Sequence, residues 1–358
     1  MINVTKSYLP DRKEYEKYLE GIWERGWLTN HGPLVTELEQ KLREFLGVKH
    51  CFFVNNGTIA IQIAIRALDL QQEVITTPFS YVATVSSLVW EKCSPVFADI
   101  EKDYLTLDPA AIEKLITPET TGIVATHVYG NPCNVEAIDA LAKKHGLKVI
   151  YDAAHAFGVG YKGKNVLNYG DISTLSFHAT KLFHTVEGGA VVTNDDELAF
   201  RISYMRNFGH NGPEKFFGVG VNGKSSEFHA AMGLCVLPAV PDIMKRRKEI
   251  CSLYDQLLDK SLEFFHQRPD TTYNYAYYPI LFPSESDLLK AVKALNDNQI
   301  VPRRYFYPSL NTLDYVQYME CPVSEDISKR VLCLPLFVEL KDEQVRQICS
   351  LVNKSLNT

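Results

Sequence analysis

Seven short apolar runs between residues 51 and 193 constrain this chain more than any other feature. They read CFFVN (51–55), EVITT (73–77), PVFADI (95–100), GIVATHV (122–128), LKVIYD (147–152), STLSFH (173–178) and GAVVT (189–193). Stretches of helical character lie between them, including Thr58–Leu68, Ala83–Glu91, Pro109–Leu115 and Asn134–His145, and another helix is expected at Leu34–Leu46. Strands that alternate with helices of this length make βαβ units, and a series of such units makes a mainly parallel sheet. Helices cover both faces of such a sheet, so its strands are apolar throughout. The expectation is an α/β domain with a mainly parallel seven-stranded sheet flanked by helices.

The texture changes after about Pro238. A long helix runs through PDIMKRRKEICSLYDQLLD, followed by a strand (YAYYPILF, 275–282), a helix (Ser286–Asn296), a short strand near IVPRRYF and a terminal helix from Lys341. This reads as a small C-terminal α+β domain at 239–358, after a large domain at 1–238. No Gly/Ser linker separates the two, so they are expected to pack together. The opening segment, to about Gly32, is rich in aromatics and shows little periodicity.

The formal net charge of -6 leaves no basic excess to neutralise phosphates, so no nucleic-acid partner is expected. None of the eight cysteines forms a C-x-x-C pair; they read as buried free thiols, and no metal site is expected. The N-terminus has no apolar signal core and no stretch approaches ~20 apolar residues, so no membrane partner and a cytoplasmic location are expected.

Chemistry concentrates in YDAAHAFGVGYKGKNVLNYGDISTLSFHATKLFHTVEGG (151–189). Asp152 ends an apolar strand, and strand C-termini of an open parallel sheet face the ligand crevice. A carboxylate there can pair with a ring nitrogen or can cap a turn. Lys181 lies just past another strand end among Ala179, Leu182 and Phe183, where desolvation lowers an amine pKa and favours a nucleophile. A solvated surface lysine is the alternative. Gly57 and Thr58, in NNGTIAIQIAIRAL, fall between a strand and a helix, where free N–H groups suit a phosphate and an ordinary N-cap has the same geometry. Gly158–Gly163 matches G-x-G-x-x-G, but AAHAF intervenes after the strand and no helical period follows, so it reads as a turn and not as a dinucleotide site.

In combination the segments WLTNHGP, NNGT, TTPFSYVAT, HVYGNPCNVEAI, DAAHAFG, SFHATK, EGGAVVT and GVNGKSSEFHAAMG resemble the DegT/DnrJ/EryC1/StrS family of nucleotide-sugar aminotransferases, over nearly the whole chain. The resemblance implies the fold-type-I, pyridoxal-5'-phosphate-dependent architecture. It implies that Lys181 is the Schiff-base lysine and proton-shuttling base, and that Asp152 partners the pyridinium nitrogen. It further implies His155 at the cofactor's 3-hydroxyl, where many members have Gln, and Tyr81 stacked on the ring. Gly57, Thr58 and Ser176 would hold the phosphate. Asn222 would reach the phosphate of the neighbouring subunit, so a homodimer with shared active sites is implied. Asn56 stands where Ser is usual before Gly-Thr. Some relatives carry histidine in place of the lysine and dehydrate their substrate; Lys181 points instead to transamination.

The implied partners are L-glutamate as donor and a dTDP-keto-sugar as acceptor. VYGNPCNVEAI, SFHATKLFHTVEGG and VPRRYFYPSL are most similar to the branch that aminates dTDP-4-keto-6-deoxy-D-glucose, a step in surface polysaccharide (O-antigen) biosynthesis. A branch acting at C3 of dTDP-3-keto-6-deoxyhexoses is the alternative, and a non-enzymatic regulatory protein of the same fold is another. Trp27, Arg303, Arg304 and Tyr305 are candidates for the nucleotide end, with an ordinary solvated pair as the other reading of the two arginines.

Overall fold

The computed structural model describes residues 1–356. Its central sheet has seven strands: β1 (His50–Val54), β2 (Glu73–Thr76), β3 (Ser94–Phe97), β4 (Thr120–Thr126), β5 (Lys148–Asp152), β6 (Ile172–Ser176) and β7 (Gly189–Thr193). They lie in the order β1-β7-β6-β5-β4-β2-β3. Strand β7 is antiparallel to both its neighbours, and the remaining pairs are parallel. All seven expected strands are present, within a few residues at their ends, as is the mainly parallel sheet of the fold-type-I architecture.

Register explains where the polar strand ends meet. Asp152 of β5 stands opposite Thr126 of β4 and Thr174 of β6. Three hydrogen-bonding side chains therefore sit side by side at the carboxyl edge of an otherwise apolar sheet, the edge where ligands bind in open α/β folds.

The Pro33–Leu46 helix buries Leu34, Val35, Leu38, Leu42 and Leu46 against this core. Burial of one such leucine contributes about 1.5–3 kcal/mol. The first free N–H groups of this helix, on Leu34 and Val35, donate to the buried carboxylate of Glu227, each at 3.0 Å. A Cβ at Gly32 would come within 2.6 Å of the same carboxylate. The WLTNHGP and GKSSEFHAAMG segments thus form one capping unit, although about 190 residues separate them.

Two expectations need correction. The opening segment is not irregular: Arg12–Arg25 is a helix, capped by Asp11 and ended by Gly26 in the left-handed region. Ile22 is its only fully buried residue, which is why it shows no apolar period. The strand in YAYYPILF shrinks to Pro279–Leu281 because Tyr275 takes a positive φ and Asn274 turns inward, donating to the carbonyls of His155 and Phe157. The strand near IVPRRYF, Ile300–Val301, pairs in parallel with Ile2–Asn3, so the extreme N-terminus joins the C-terminal region. The Glu227–Val236 helix carried no period either, because it is apolar nearly all round.

The C-terminal region has a core of its own. Helices Val240–Leu257, Glu285–Asp297 and Asp342–Ser355 surround the antiparallel pair Pro279–Leu281 and Val331–Cys333, with Ile250, Tyr254, Ile280, Leu288, Leu332 and Ile348 buried between them. The G-x-G-x-x-G stretch is a hairpin, Gly160–Tyr161 against Lys164–Asn165, with Lys162 and Gly163 both at positive φ in the turn. All eight cysteines are free thiols. Among the described residues no helix is long and apolar enough to cross a membrane.

Candidate active site

The carboxyl edge of the sheet opens into a cavity of about 370 Å³. Gly57, Thr58, Tyr81, Asp152, His155, Ser176 and Lys181 all line it. These are seven of the eight residues to which the resemblance gives a catalytic or cofactor-binding role, and Arg303 and Tyr305, candidates for the nucleotide end, line it too.

Asp152 is 5% exposed and forms the floor. Its Oδ2 accepts from the Thr84 hydroxyl at 2.6 Å and its Oδ1 from the Ala154 N–H at 3.1 Å. Thr84 in turn meets Ser80 at 2.8 Å, and the Thr126 hydroxyl donates to Ser80 at 3.0 Å. Because the Thr84 proton is committed to Asp152, Ser80 donates to Thr84, and a one-way chain of three hydroxyls ends on the carboxylate. Burial pushes the Asp152 carboxyl above the usual carboxylate range, while the Thr84 and Ala154 donors and the Lys181 charge pull it down. A buried carboxylate with no ion-pair partner among the described residues favours a cation brought into the cavity.

Lys181 follows β6 by five residues on a loop pinned at both ends. The Phe177 N–H donates to Gly188 O and the Thr185 N–H to Phe177 O, and Phe183 stacks on Phe157 beneath. Its Nζ reaches the hydroxyl of Tyr277 at 3.1 Å. Burial draws the Lys181 amine below its ordinary range, and the Asp152 charge opposes this. The neutral, nucleophilic amine is correspondingly favoured.

His155 is buried between the ring of Phe306, parallel at 5.5 Å, and the edge of Tyr277 at 4.7 Å. Its Nδ1 accepts the Tyr129 N–H at 3.1 Å. Burial holds the imidazole neutral, well below its ordinary pKa. The single ring proton is therefore on Nε2, which makes that atom a donor.

The opposite wall is the start of the Gly57–Ala67 helix. Asn56 caps it, accepting the Ile59 N–H at 2.8 Å, and this gives the departure from Ser at that position a structural reason. The Gly57 and Thr58 N–H groups have no acceptor among the described residues. A Cβ at Gly57 would lie 2.9 Å from the Ser176 Cβ, so only glycine lets the helix start against β6. The result is an anion cradle of two N–H groups with the Thr58 and Ser176 hydroxyls beside it. Tyr81, 56% exposed, presents its ring at the mouth. The lining residue Thr174 has a buried hydroxyl without a partner among the described residues, a further point where a ligand can bond.

Asn222 is the exception. It is exposed and outside this cavity; its side chain accepts from Lys224 at 2.6 Å and its carbonyl from Asn55 at 3.1 Å. Tyr277 and Thr84 drew no attention in the sequence. Thr84 lies in the TTPFSYVAT segment, but its contact with Asp152 spans 68 residues, and nothing in YAYYPILF marks Tyr277 as the residue that meets Lys181.

An anion cradle, a lone buried carboxylate, a donor imidazole and a poised lysine around one cavity suit a flat, anionic cofactor. The family comparison decides what the arrangement belongs to: residues 10–353 match the DegT/DnrJ/EryC1/StrS aminotransferase family. The chain belongs to this family, and it is an aminotransferase. It is 42% identical to the dTDP-4-amino-4,6-dideoxy-D-glucose transaminase of Shigella dysenteriae, covering 99% of this chain and 98% of that protein. The protein of the same name from Escherichia coli is 41% identical, with 98% of each covered. Among solved structures, DesI in the presence of its TDP-sugar product superposes with a TM-score of 0.93 at 32% identity, covering 99% of this chain and 92% of that one.

Proposed function

We propose that the protein uses pyridoxal 5'-phosphate to transfer the amino group of L-glutamate to dTDP-4-keto-6-deoxy-D-glucose, giving dTDP-4-amino-4,6-dideoxy-D-glucose for surface polysaccharide. The observation that carries the chemistry is the meeting of Lys181, Asp152, His155 and the Gly57–Thr58 cradle around one cavity. The substrate rests on the 42% identity, over nearly the full length, to a transaminase of that name.

The residues present fit the cofactor. The Gly57 and Thr58 N–H groups, with Thr58 and Ser176, would take the phosphate; Asp152 would face the ring nitrogen; His155 Nε2 would donate to the 3-hydroxyl; Tyr81 would cover the ring; and Lys181 would hold the aldehyde carbon. Once bound, pyridoxal phosphate supplies an electron-accepting ring for charge developing at the donor's α-carbon. Asp152, kept charged by Thr84 and Ala154, holds a proton on that ring's nitrogen. Lys181, once released, takes the α-proton as a neutral amine, with Tyr277 fixing its position. The same lysine returns a proton when the keto-sugar takes the donor's place.

The two-domain division near residue 238 belongs to this reading, since the two regions have separate cores, with Ile2–Asn3 lent to the second. So does the homodimer. Phe208, Phe216, Phe217, Val219 and Val221 are exposed on the segment that leads to Asn222, an apolar surface suited to a second copy. Mixing Lys181→Ala and Asn222→Ala subunits should restore one intact site per heterodimer; a fully active monomer contradicts the shared site.

Product NMR after incubation with L-glutamate and the 3-keto and 4-keto dTDP-sugars in parallel tests the substrate. Nitrogen at C4 supports the proposal, and nitrogen at C3 alone overturns it.

A further inference from the structure

Every substrate of such a transfer is an anion. The donor carries carboxylates and the nucleotide-sugar carries a pyrophosphate, and both reach the same cavity. Lys181 and Arg303 are the two basic chains that line the cavity beside its histidines, and of the two only the Arg303 guanidinium keeps its charge at any working pH. Lys181 is committed to the reacting end, so Arg303 is the cation left to receive an oxyanion.

Arg303 is placed firmly and left unpaired. Its N–H donates to Cys333 O at 3.2 Å, and its carbonyl accepts the Cys333 N–H at 2.8 Å. The guanidinium lies over the Tyr305 ring, 5.5 Å from its centre. Among the described residues it has no carboxylate partner and no side-chain hydrogen bond. The adjacent Arg304 differs in each respect. It pairs with Glu285 at 2.7 Å, donates to the Ser328 and Lys329 carbonyls, and packs on Tyr307 at 3.6 Å. One of two neighbouring arginines serves the fold, and the other faces the cavity with all five donors free.

The rings between set its reach. Tyr305 meets Tyr277 edge-on at 5.7 Å, and the Tyr277 hydroxyl meets Lys181 Nζ at 3.1 Å. Arg303 therefore stands two aromatic rings outward from the reacting amine. An oxyanion seated there leaves the other end of the same molecule directed toward Lys181.

Resting on the aminotransferase reading above, we propose that Arg303 is a specificity-determining residue. Its guanidinium takes an oxyanion of an incoming substrate, a donor carboxylate or the nucleotide pyrophosphate, through paired N–H···O bonds at the outer end of the cavity. A lysine there would keep the charge and lose the fork.

The test uses cofactor-loaded protein with Arg303→Met and Arg303→Lys. Each half-reaction is followed separately by the absorbance of the bound cofactor, with L-glutamate in one arm and dTDP-4-keto-6-deoxyglucose in the other. Calorimetry measures the binding of L-glutamate and of dTDP. Arg303→Met should raise the half-saturating concentration about tenfold or more in at least one arm, as expected for losing a charge-assisted pair, with the limiting rate held within about threefold. Arg303→Lys should recover part of the loss. A loss confined to the glutamate arm names the carboxylate; a loss in the sugar arm with weaker dTDP binding names the pyrophosphate; losses in both name a shared seat. If the wild type is inert in both arms, the functional reading falls, and the two binding isotherms still decide the role of Arg303. If no half-saturating concentration or dissociation constant moves beyond twofold in folded Arg303→Met protein, the proposal is overturned.

Discussion

The inner and outer ends of the cavity are built on opposite terms. At the inner end Asp152 has two donors, His155 takes the Tyr129 N–H and Lys181 meets Tyr277. At the outer end the Gly57 and Thr58 N–H groups and the Arg303 guanidinium have no protein partner among the described residues, and the Tyr81 ring is largely bare. Most buried polar groups find partners when the chain folds, with the Thr174 hydroxyl an exception among the described residues, whereas groups at an open mouth can keep water until a ligand replaces it. The inner end is thus set by folding, with pKa values shifted by burial. The outer end takes its geometry from whatever binds. Substitutions at the inner end should therefore strike the rate, and those at the outer end the affinity.

Asp152→Asn tests the inner end hardest. The amide keeps the size and loses the charge, so the cofactor should remain bound while proton exchange at the α-carbon of L-glutamate falls by about 10²- to 10⁴-fold. Deuterium wash-in followed by NMR measures this, and an unchanged rate would reduce Asp152 to a turn residue.

Thr84→Val is gentler. It keeps the shape and removes one donor to Asp152, and hydrogen bonds to charged groups contribute about 1.5–3 kcal/mol, so exchange should slow about tenfold. The pH profile gives a sharper readout. In the proposed role Asp152 acts as the carboxylate, so activity should be lost as pH falls through its pKa. Burial already raises that pKa, and the Thr84 bond holds it down. Without Thr84 the acid limb should therefore move to higher pH; an unmoved limb would separate the hydroxyl chain from the chemistry.

Tyr81→Ala should have the smallest effect and the opposite character. Loss of a stacked ring costs about 0.5–1.5 kcal/mol beyond area, so cofactor affinity should fall about threefold to tenfold in equilibrium dialysis, with exchange at saturation nearly unchanged. A large fall in the saturated rate would erase the distinction between the two ends.

The same division separates what could be read from the chain. The strand pattern located the sheet because apolar runs bounded by turns survive in any βα chain. Asp152 and Gly57 were legible because each sits at a strand–loop junction, where local rules apply. The gap left by Gly57 beside Ser176 confirms why that position has no side chain. Tyr277 and Thr84 were not legible, because their contacts with Lys181 and Asp152 span 96 and 68 residues and depend on register and packing. The pairing of Ile2–Asn3 with Ile300–Val301 is of the same kind. Arg303 and Arg304 looked alike in PRRYFYP and differ because Glu285, the Ser328 and Lys329 carbonyls and the Tyr307 ring lie beside Arg304 alone.

The most direct test of the account concerns Lys181. Apoprotein is loaded with pyridoxal phosphate and reduced with borohydride, which fixes the cofactor on the amine it has joined. The peptides are then mapped by mass spectrometry. The cofactor's mass is expected on the peptide containing Lys181, with no such adduct in a Lys181→Ala protein that still folds. An adduct on a different lysine, or one spread over several surface lysines with Lys181 unmodified, would contradict it.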